Sequence, residues 1–183
     1  MTKYALRRED TLVIVIDIQD RLAGVMKHRE SVVANTLHLI ELARLTGMPI
    51  VVTEQYPKGL GQTVDEIRRA LPDLRPVEKL TFSCCDENSF LDEVNGHGRK
   101  TAVLTGMETH VCVLQTCLGL LDQGFVVHVV NDAVCSRTKE NWRTGLEFMR
   151  DAGAVVTSTE IALFQALHVA GTEEFKAISK RIR

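Results

Sequence analysis

Several features that often reveal the class of a protein are scarce in this chain of 183 residues. Aromatic residues make up 5% of it, and the formal net charge is only −2. A charge so close to zero gives no electrostatic reason to expect nucleic acid or an anionic membrane as a partner. The longest apolar runs also fall far short of the ~20 residues that a membrane helix needs. We therefore expect a small-molecule substrate, no nucleic acid and no membrane.

Disulfide and metal-site spacings are absent as well. The cysteines are odd in number and contain no Cys-x-x-Cys pair, which fits a reducing compartment better than a secreted disulfide framework. None of the six histidines pairs with another at the spacing of a helix-borne metal site. The first ten residues are polar and carry both charge signs, unlike a signal peptide. These observations predict a cytoplasmic protein without a metal or cofactor. The cysteines are Cys84, Cys85, Cys112, Cys117 and Cys135.

Short apolar runs rich in Val and Ile alternate with longer amphipathic stretches. Such alternation predicts parallel strands joined by right-handed helical crossovers, hence an α/β fold with a three-layer α/β/α sandwich. No linker, repeat or composition change divides the chain, so we expect a single domain over 1–183. The expected strands lie at 12–16, 50–52, 101–104, 125–130 and 154–156, and the expected helices at 31–45, 110–123, 139–151 and 172–183. Two possible capping boxes are Thr63-x-x-Glu66 and Thr157-x-x-Glu160.

The most informative stretch is 105–113, Thr-Gly-Met-Glu-Thr-His-Val-Cys-Val, which places Cys112 beyond a buried strand at an expected helix start. Unpaired N–H groups and the helix dipole there favour a thiolate and can hold a developing oxyanion. Asp17 ends the first strand, and Lys79 lies in another segment with apolar flanks. In a Rossmann-like six-stranded sheet of order 3-2-1-4-5-6, the first and fourth strands are neighbours, so Asp17 and Cys112 open into one crevice. Taken singly, each residue also has a structural interpretation as a buried thiol, a turn cap or a surface charge.

These residues resemble those of the isochorismatase-like cysteine hydrolases, and the resemblance covers nearly the whole chain. It rests on Asp17 with Gln19-Asp20 after it, on Lys79 followed by Phe82-Ser83, and on 106–113. The segments 53–61 and 132–137 are most similar to the branch of isochorismatase domain-containing proteins. The resemblance implies a catalytic triad of Asp17, Lys79 and Cys112, an oxyanion hole from the backbone N–H groups of Glu108 and Cys112, and a cis peptide between Met107 and Glu108.

The resemblance further implies a metal-independent hydrolase that cleaves a small amide, carbamoyl or related C–N bond through an acyl-enzyme. Metal-bearing relatives carry histidine after the second strand, and segment 54–58 has none. We expect Gln19, Tyr56 and Leu60 to line the substrate pocket, and the relatives imply a homo-oligomer. Three alternatives stay open: a non-catalytic assembly or interaction protein with an idle triad on the same fold, a thiol redox sensor, and an isochorismatase in the strict sense, which cleaves a vinyl ether.

Overall fold

One parallel sheet organises residues 3–182, which are the residues that this computed structural model describes. Its six strands follow the order β3-β2-β1-β4-β5-β6, and every neighbouring pair is parallel. This confirms the predicted Rossmann-like order 3-2-1-4-5-6. The strands are β1 (Thr11–Ile16), β2 (Ile50–Gln55), β3 (Val77–Lys79), β4 (Thr101–Met107), β5 (Val126–Cys135) and β6 (Val155–Thr157).

Helices cover both faces of the sheet and make it the middle layer of the predicted sandwich. Within residues 3–182, no helix has the length and apolarity to cross a membrane. The helices are α1 (Asp20–Ala23), α2 (Arg29–Thr46), α3 (Pro57–Leu60), α4 (Asp65–Ala70), α5 (Asn88–Gly96), α6 (Leu114–Asp122), α7 (Lys139–Asp151), α8 (Thr159–Leu167) and α9 (Glu173–Arg181). Short turns of other helical types lie at Arg8–Asp10, Cys84–Asp86 and Thr109–Val113, the last of them π-helical.

The central strand β1 is buried on both faces, as its unbroken apolar sequence predicts. Val13 and Val15 point into the core under α2, α8 and α9, whereas Leu12 and Ile14 point into the core under α5, α6 and α7. This alternation follows from the two-residue period of a strand. Between the two cores, the carboxyl ends of the central strands β1 and β4 lie side by side.

Two sequence predictions are corrected by the structure. The strand expected at 125–130 runs on to Cys135, because a register shift opposite Leu104 and Gly106 lets its last residues pair with the end of β4. The capping boxes are wrong: α4 begins after Val64 without a side-chain cap, and α8 is capped by Ser158, one residue later than expected. Thr63 does not cap α4, because its hydroxyl donates instead to Glu54 Oε1 at 2.7 Å.

Gly106 allows β1 and β4 to approach closely where both strands end. It pairs with Ile16 and adopts a φ of 135°, in the region that favours glycine. A Cβ atom added at this position would lie 2.0 Å from the Ile16 carbonyl oxygen. Because Gly106 has no side chain, Asp17 and the segment after Gly106 can lie close together.

We expect Gly106→Ala to lower the free energy of unfolding by about 3 kcal/mol or more, because both the positive φ and the backbone clash oppose it. Urea denaturation measures the change. Gly96→Ala is the matched control, since a Cβ atom there meets nothing within 4 Å. A Gly106→Ala protein as stable as this control would contradict the close approach of the two strands.

Candidate active site

Asp17 lies directly after β1, in a left-handed backbone conformation with a φ of 51°. Its side chain is fully buried, yet both carboxylate oxygens have a partner. Oδ1 accepts a hydrogen bond from Thr53 Oγ1, and Oδ2 accepts one from Lys79 Nζ, each at 2.7 Å. Because an unpaired buried charge is very costly, these two contacts are what allow a carboxylate to occupy the crevice.

Lys79 ends the edge strand β3, and its side chain is also fully buried. Its ammonium group donates to Asp17 Oδ2 and to Gln55 Oε1, both at 2.7 Å, and lies 3.2 Å from the carbonyl oxygens of Thr81 and Phe82. Burial is the largest single influence and lowers the pKa of Lys79, but the charge of Asp17, its hydrogen bond and the nearby Cys84 and Cys112 together outweigh burial, so the net shift of this pKa is upward. Lys79 is therefore a cation at neutral pH.

Cys112 lies in the π-helical turn after β4 and is 5% exposed. Its thiol lies near the Asp17 carboxylate, whose charge acts on it. Burial raises the pKa of Cys112, the Asp17 charge raises it further, and the nearby Lys79 only partly opposes them. Burial beside a carboxylate thus acts against the expected thiolate and favours the neutral thiol of Cys112.

The turn that carries Cys112 begins at a cis peptide between Met107 and Glu108, as predicted. The Glu108 carbonyl oxygen accepts hydrogen bonds from the N–H groups of Val111 and Val113, at 3.1 and 3.2 Å. Its carboxylate is held from the other side by Arg137, whose backbone N–H and Nε donate to Oε2. The two residues predicted for the oxyanion hole, Glu108 and Cys112, therefore flank one tight turn.

The residues predicted to contact substrate occupy three different environments. Gln19 is buried, and its amide joins the loops after β1 and β2 by bonding to backbone atoms of Gln55 and Gly61. Tyr56 is 50% exposed and borders a cavity of about 410 Å³ that Lys79 also lines. Leu60 is part-buried at the end of α3.

Three residues around Asp17 and Lys79 were missed by the sequence reasoning. Thr53 and Gln55, both at the end of β2, bind Asp17 and Lys79 respectively. Cys84 is fully buried, and its thiol donates to Thr53 Oγ1 at 3.8 Å; burial raises its pKa to about 12. The sequence contained a signal for Thr53 and Gln55. Polar residues in a strand that is covered on both faces need hydrogen-bond partners inside the protein.

Among residues 3–182, no group of three or more His, Cys, Asp or Glu side chains is arranged to hold a metal ion. The acidic residue nearest to the site in β2 is Glu54, and its Oε1 accepts from both the backbone N–H and the hydroxyl of Thr63. The carboxylate is thereby used to join two loops.

A doubly wound α/β fold with a cysteine, a carboxylate and an ammonium group at the carboxyl ends of its strands defines a hydrolase class. Residues 11–161 match the family model of the isochorismatase domain. The chain therefore belongs to the isochorismatase family and is a hydrolase of that family.

Similar proteins extend this assignment over nearly the whole chain. The secreted isochorismatase effector Isc1 of Phytophthora sojae is 43% identical over 94% of this chain and 84% of its own length. Isochorismatase domain-containing protein 2A of Mus musculus is 34% identical over 96% of this chain and 84% of its own. A solved structure described as MAR1 ribonuclease from Caenorhabditis elegans is 34% identical, covers 97% of this chain and 92% of that one, and superposes with a TM-score of 0.90.

The buried ion pair generates a stability prediction. Lys79→Met leaves Asp17 as an unpaired buried charge, and we expect it to lower the free energy of unfolding by about 3–5 kcal/mol. The double variant Asp17→Asn with Lys79→Met removes both charges and should regain a large part of that loss. Urea denaturation of the wild type, the two single variants and the double variant measures the coupling. Additive losses would show that the two groups do not depend on each other.

Proposed function

We propose that the chain, as one domain, is a metal-independent cysteine hydrolase that cleaves a small amide, carbamoyl or related C–N substrate through an acyl-enzyme on Cys112. One observation carries the proposal: the Cys112 thiol lies near enough to feel the charge of a buried carboxylate, Asp17, that is itself paired with Lys79 at 2.7 Å. A thiol, a base and a fixed cation at the end of β1 and β4 are the groups that nucleophilic acyl transfer requires.

The neutral resting thiol determines the first step. As the sulfur attacks the substrate carbonyl carbon, its proton passes to Asp17, and the carbonyl oxygen becomes an oxyanion. Backbone N–H groups of Glu108 and Cys112 would hold that oxyanion. Lys79 keeps its charge throughout, so the site never contains a thiolate and a carboxylate without a compensating cation.

The second and third steps return the proton and release the product. When the tetrahedral intermediate collapses, the C–N bond breaks and protonated Asp17 gives its proton to the leaving nitrogen, which departs as a neutral amine or ammonia. Water then attacks the thioester, Asp17 takes one of its protons, and this proton goes to the departing sulfur. The products are a carboxylic or carbamic acid and the free thiol.

Exposed apolar side chains beside the site support a homo-oligomer in which the small-molecule pocket lies close to a contact between subunits. Leu80 is 72% exposed and lines the same 410 Å³ cavity as Tyr56, and Phe82 is exposed two residues further on. Apolar groups clustered beside a site commonly mark an interaction surface. We propose that Tyr56 and Leu60 shape the substrate side of this region.

The cytoplasmic location stays a sequence prediction, since the Phytophthora relative is named as secreted. An RNA substrate, which the name of the worm structure raises, lacks support from overall charge, because a formal net charge of −2 gives no net attraction to a polyanion.

Intact-mass spectrometry after incubation with primary amides, carbamates and carbamoyl compounds tests the function. We expect an adduct on Cys112 that is absent in Cys112→Ala, retained in Cys117→Ala, and formed at least about 10²-fold more slowly in Asp17→Asn, because a positioned base contributes that much. Cys117 is a buried thiol on α6 and serves as the matched control.

Absence of any adduct across the library would contradict the hydrolase mechanism and favour the idle triad. Cleavage of RNA by the wild type and equally by Cys112→Ala would contradict it in another way, by assigning the activity to a different part of the surface.

A further inference from the structure

The carboxyl end of β2 presents two polar side chains to the same side of the sheet. Thr53 and Gln55 are two residues apart, and residues at that spacing in a strand share a face. Both are buried, and both contact the triad, whereas Glu54 between them bonds to Thr63 instead. Strand alternation thus gives β2 one face directed at the triad.

Thr53 contacts Asp17 in a fixed direction. Its hydroxyl has a single proton and donates it to Asp17 Oδ1 at 2.7 Å, while its oxygen accepts from the Cys84 thiol at 3.8 Å. A donor to a carboxylate stabilises the charged form. The backbone of Thr53 adds a second tie, because its carbonyl oxygen accepts from the Asp17 N–H at 3.3 Å.

Gln55 orients Lys79 in a complementary way. Its Nε2 donates to the Leu80 carbonyl oxygen at 2.8 Å, which turns Oε1 towards the Lys79 ammonium at 2.7 Å. The backbone of Gln55 is itself held by the buried amide of Gln19. Two protons of Lys79 are used by Asp17 and Gln55, and the carbonyl oxygens of Thr81 and Phe82 are left for the third. Lys79 therefore has no proton to offer a substrate and acts through Asp17.

We propose that Thr53 and Gln55 form a positioning pair that holds the Asp17 carboxylate in place to receive the Cys112 proton. Thr53 acts on one carboxylate oxygen directly, and Gln55 acts on the other through Lys79. The role of the pair in turnover rests on the proposed function, whereas its effect on Asp17 is measurable without a substrate.

The test is the pH dependence of Cys112 alkylation by iodoacetamide, followed by mass spectrometry from about pH 4 to 9. The rate has an acidic limb because a protonated Asp17 cannot take the thiol proton. Thr53→Val keeps the shape and the strand preference but removes the donor. We expect the midpoint of the acidic limb to rise by roughly one to two pH units, the worth of one hydrogen bond to a charged group.

Three further variants separate positioning from simple loss of structure. Thr53→Ser keeps the hydroxyl and should restore the wild-type profile. Gln55→Leu removes the acceptor from Lys79 and should move the limb in the same direction as Thr53→Val, which provides a second test should that variant fail to fold. Thr36→Val is the matched control: Thr36 is fully buried and bonds to Thr105, not to the triad.

Acidic limbs that coincide in the wild type, Thr53→Val and Gln55→Leu would overturn the positioning pair, even if amide adducts form. A shifted limb together with no adduct from any C–N substrate would support the pair and count against the proposed hydrolysis. The two failures are therefore distinguishable.

Discussion

The ion pair between Asp17 and Lys79 is the interaction on which the rest of the site depends. Asp17 directly follows β1 and Lys79 ends β3, and these strands are not neighbours, because β2 lies between them. Two strand spacings amount to roughly 10 Å, a distance that only a long side chain can bridge. Lys79 bridges it and reaches Asp17 Oδ2 at 2.7 Å. Since neither side chain has contact with water, every remaining polar atom of the pair requires a partner from the protein.

The fully buried pair also explains the protonation state of the nucleophile. Cys112 is placed beside a carboxylate that already carries a negative charge, so ionising the sulfur would add a second anion to the same buried crevice. A single cation cannot stabilise both anions equally well. In the mechanism that we propose, the proton therefore stays on sulfur until a carbonyl group accepts the electrons. Such an arrangement protects the thiol from unproductive chemistry between turnovers.

Much of the fold follows from periodicity, because the Val- and Ile-rich runs at 12–16 and 101–104 are long enough to identify central strands buried on both faces. The carboxyl ends of those strands then place Asp17 and Cys112 in one crevice. The extension of β5 was missed, since the polar residues Asn131 and Asp132 interrupt its apolar pattern. The capping boxes failed because Thr63 finds a stronger partner in Glu54 across a loop, which local sequence does not reveal.

The supporting residues of the site were harder to predict than the triad. Thr53 and Gln55 look like ordinary strand residues, and their importance appears only when β3 is known to lie beside β2. The thiol protonation state depends on burial and on the distance to a carboxylate, neither of which can be read from spacing. The hydrogen bonds of Gln19 were equally hidden, because the sequence does not show that this polar residue after β1 joins two loops.

The most direct test of the account is the protonation state of Cys112 at neutral pH, compared between the wild type and Cys112→Ala by infrared and ultraviolet difference spectroscopy. The account predicts an S–H stretching band that the substitution removes, with no accompanying loss of thiolate absorption. A thiolate absorption in the wild type that disappears with the substitution would contradict it, because the sulfur proton would then already have left before any substrate binds.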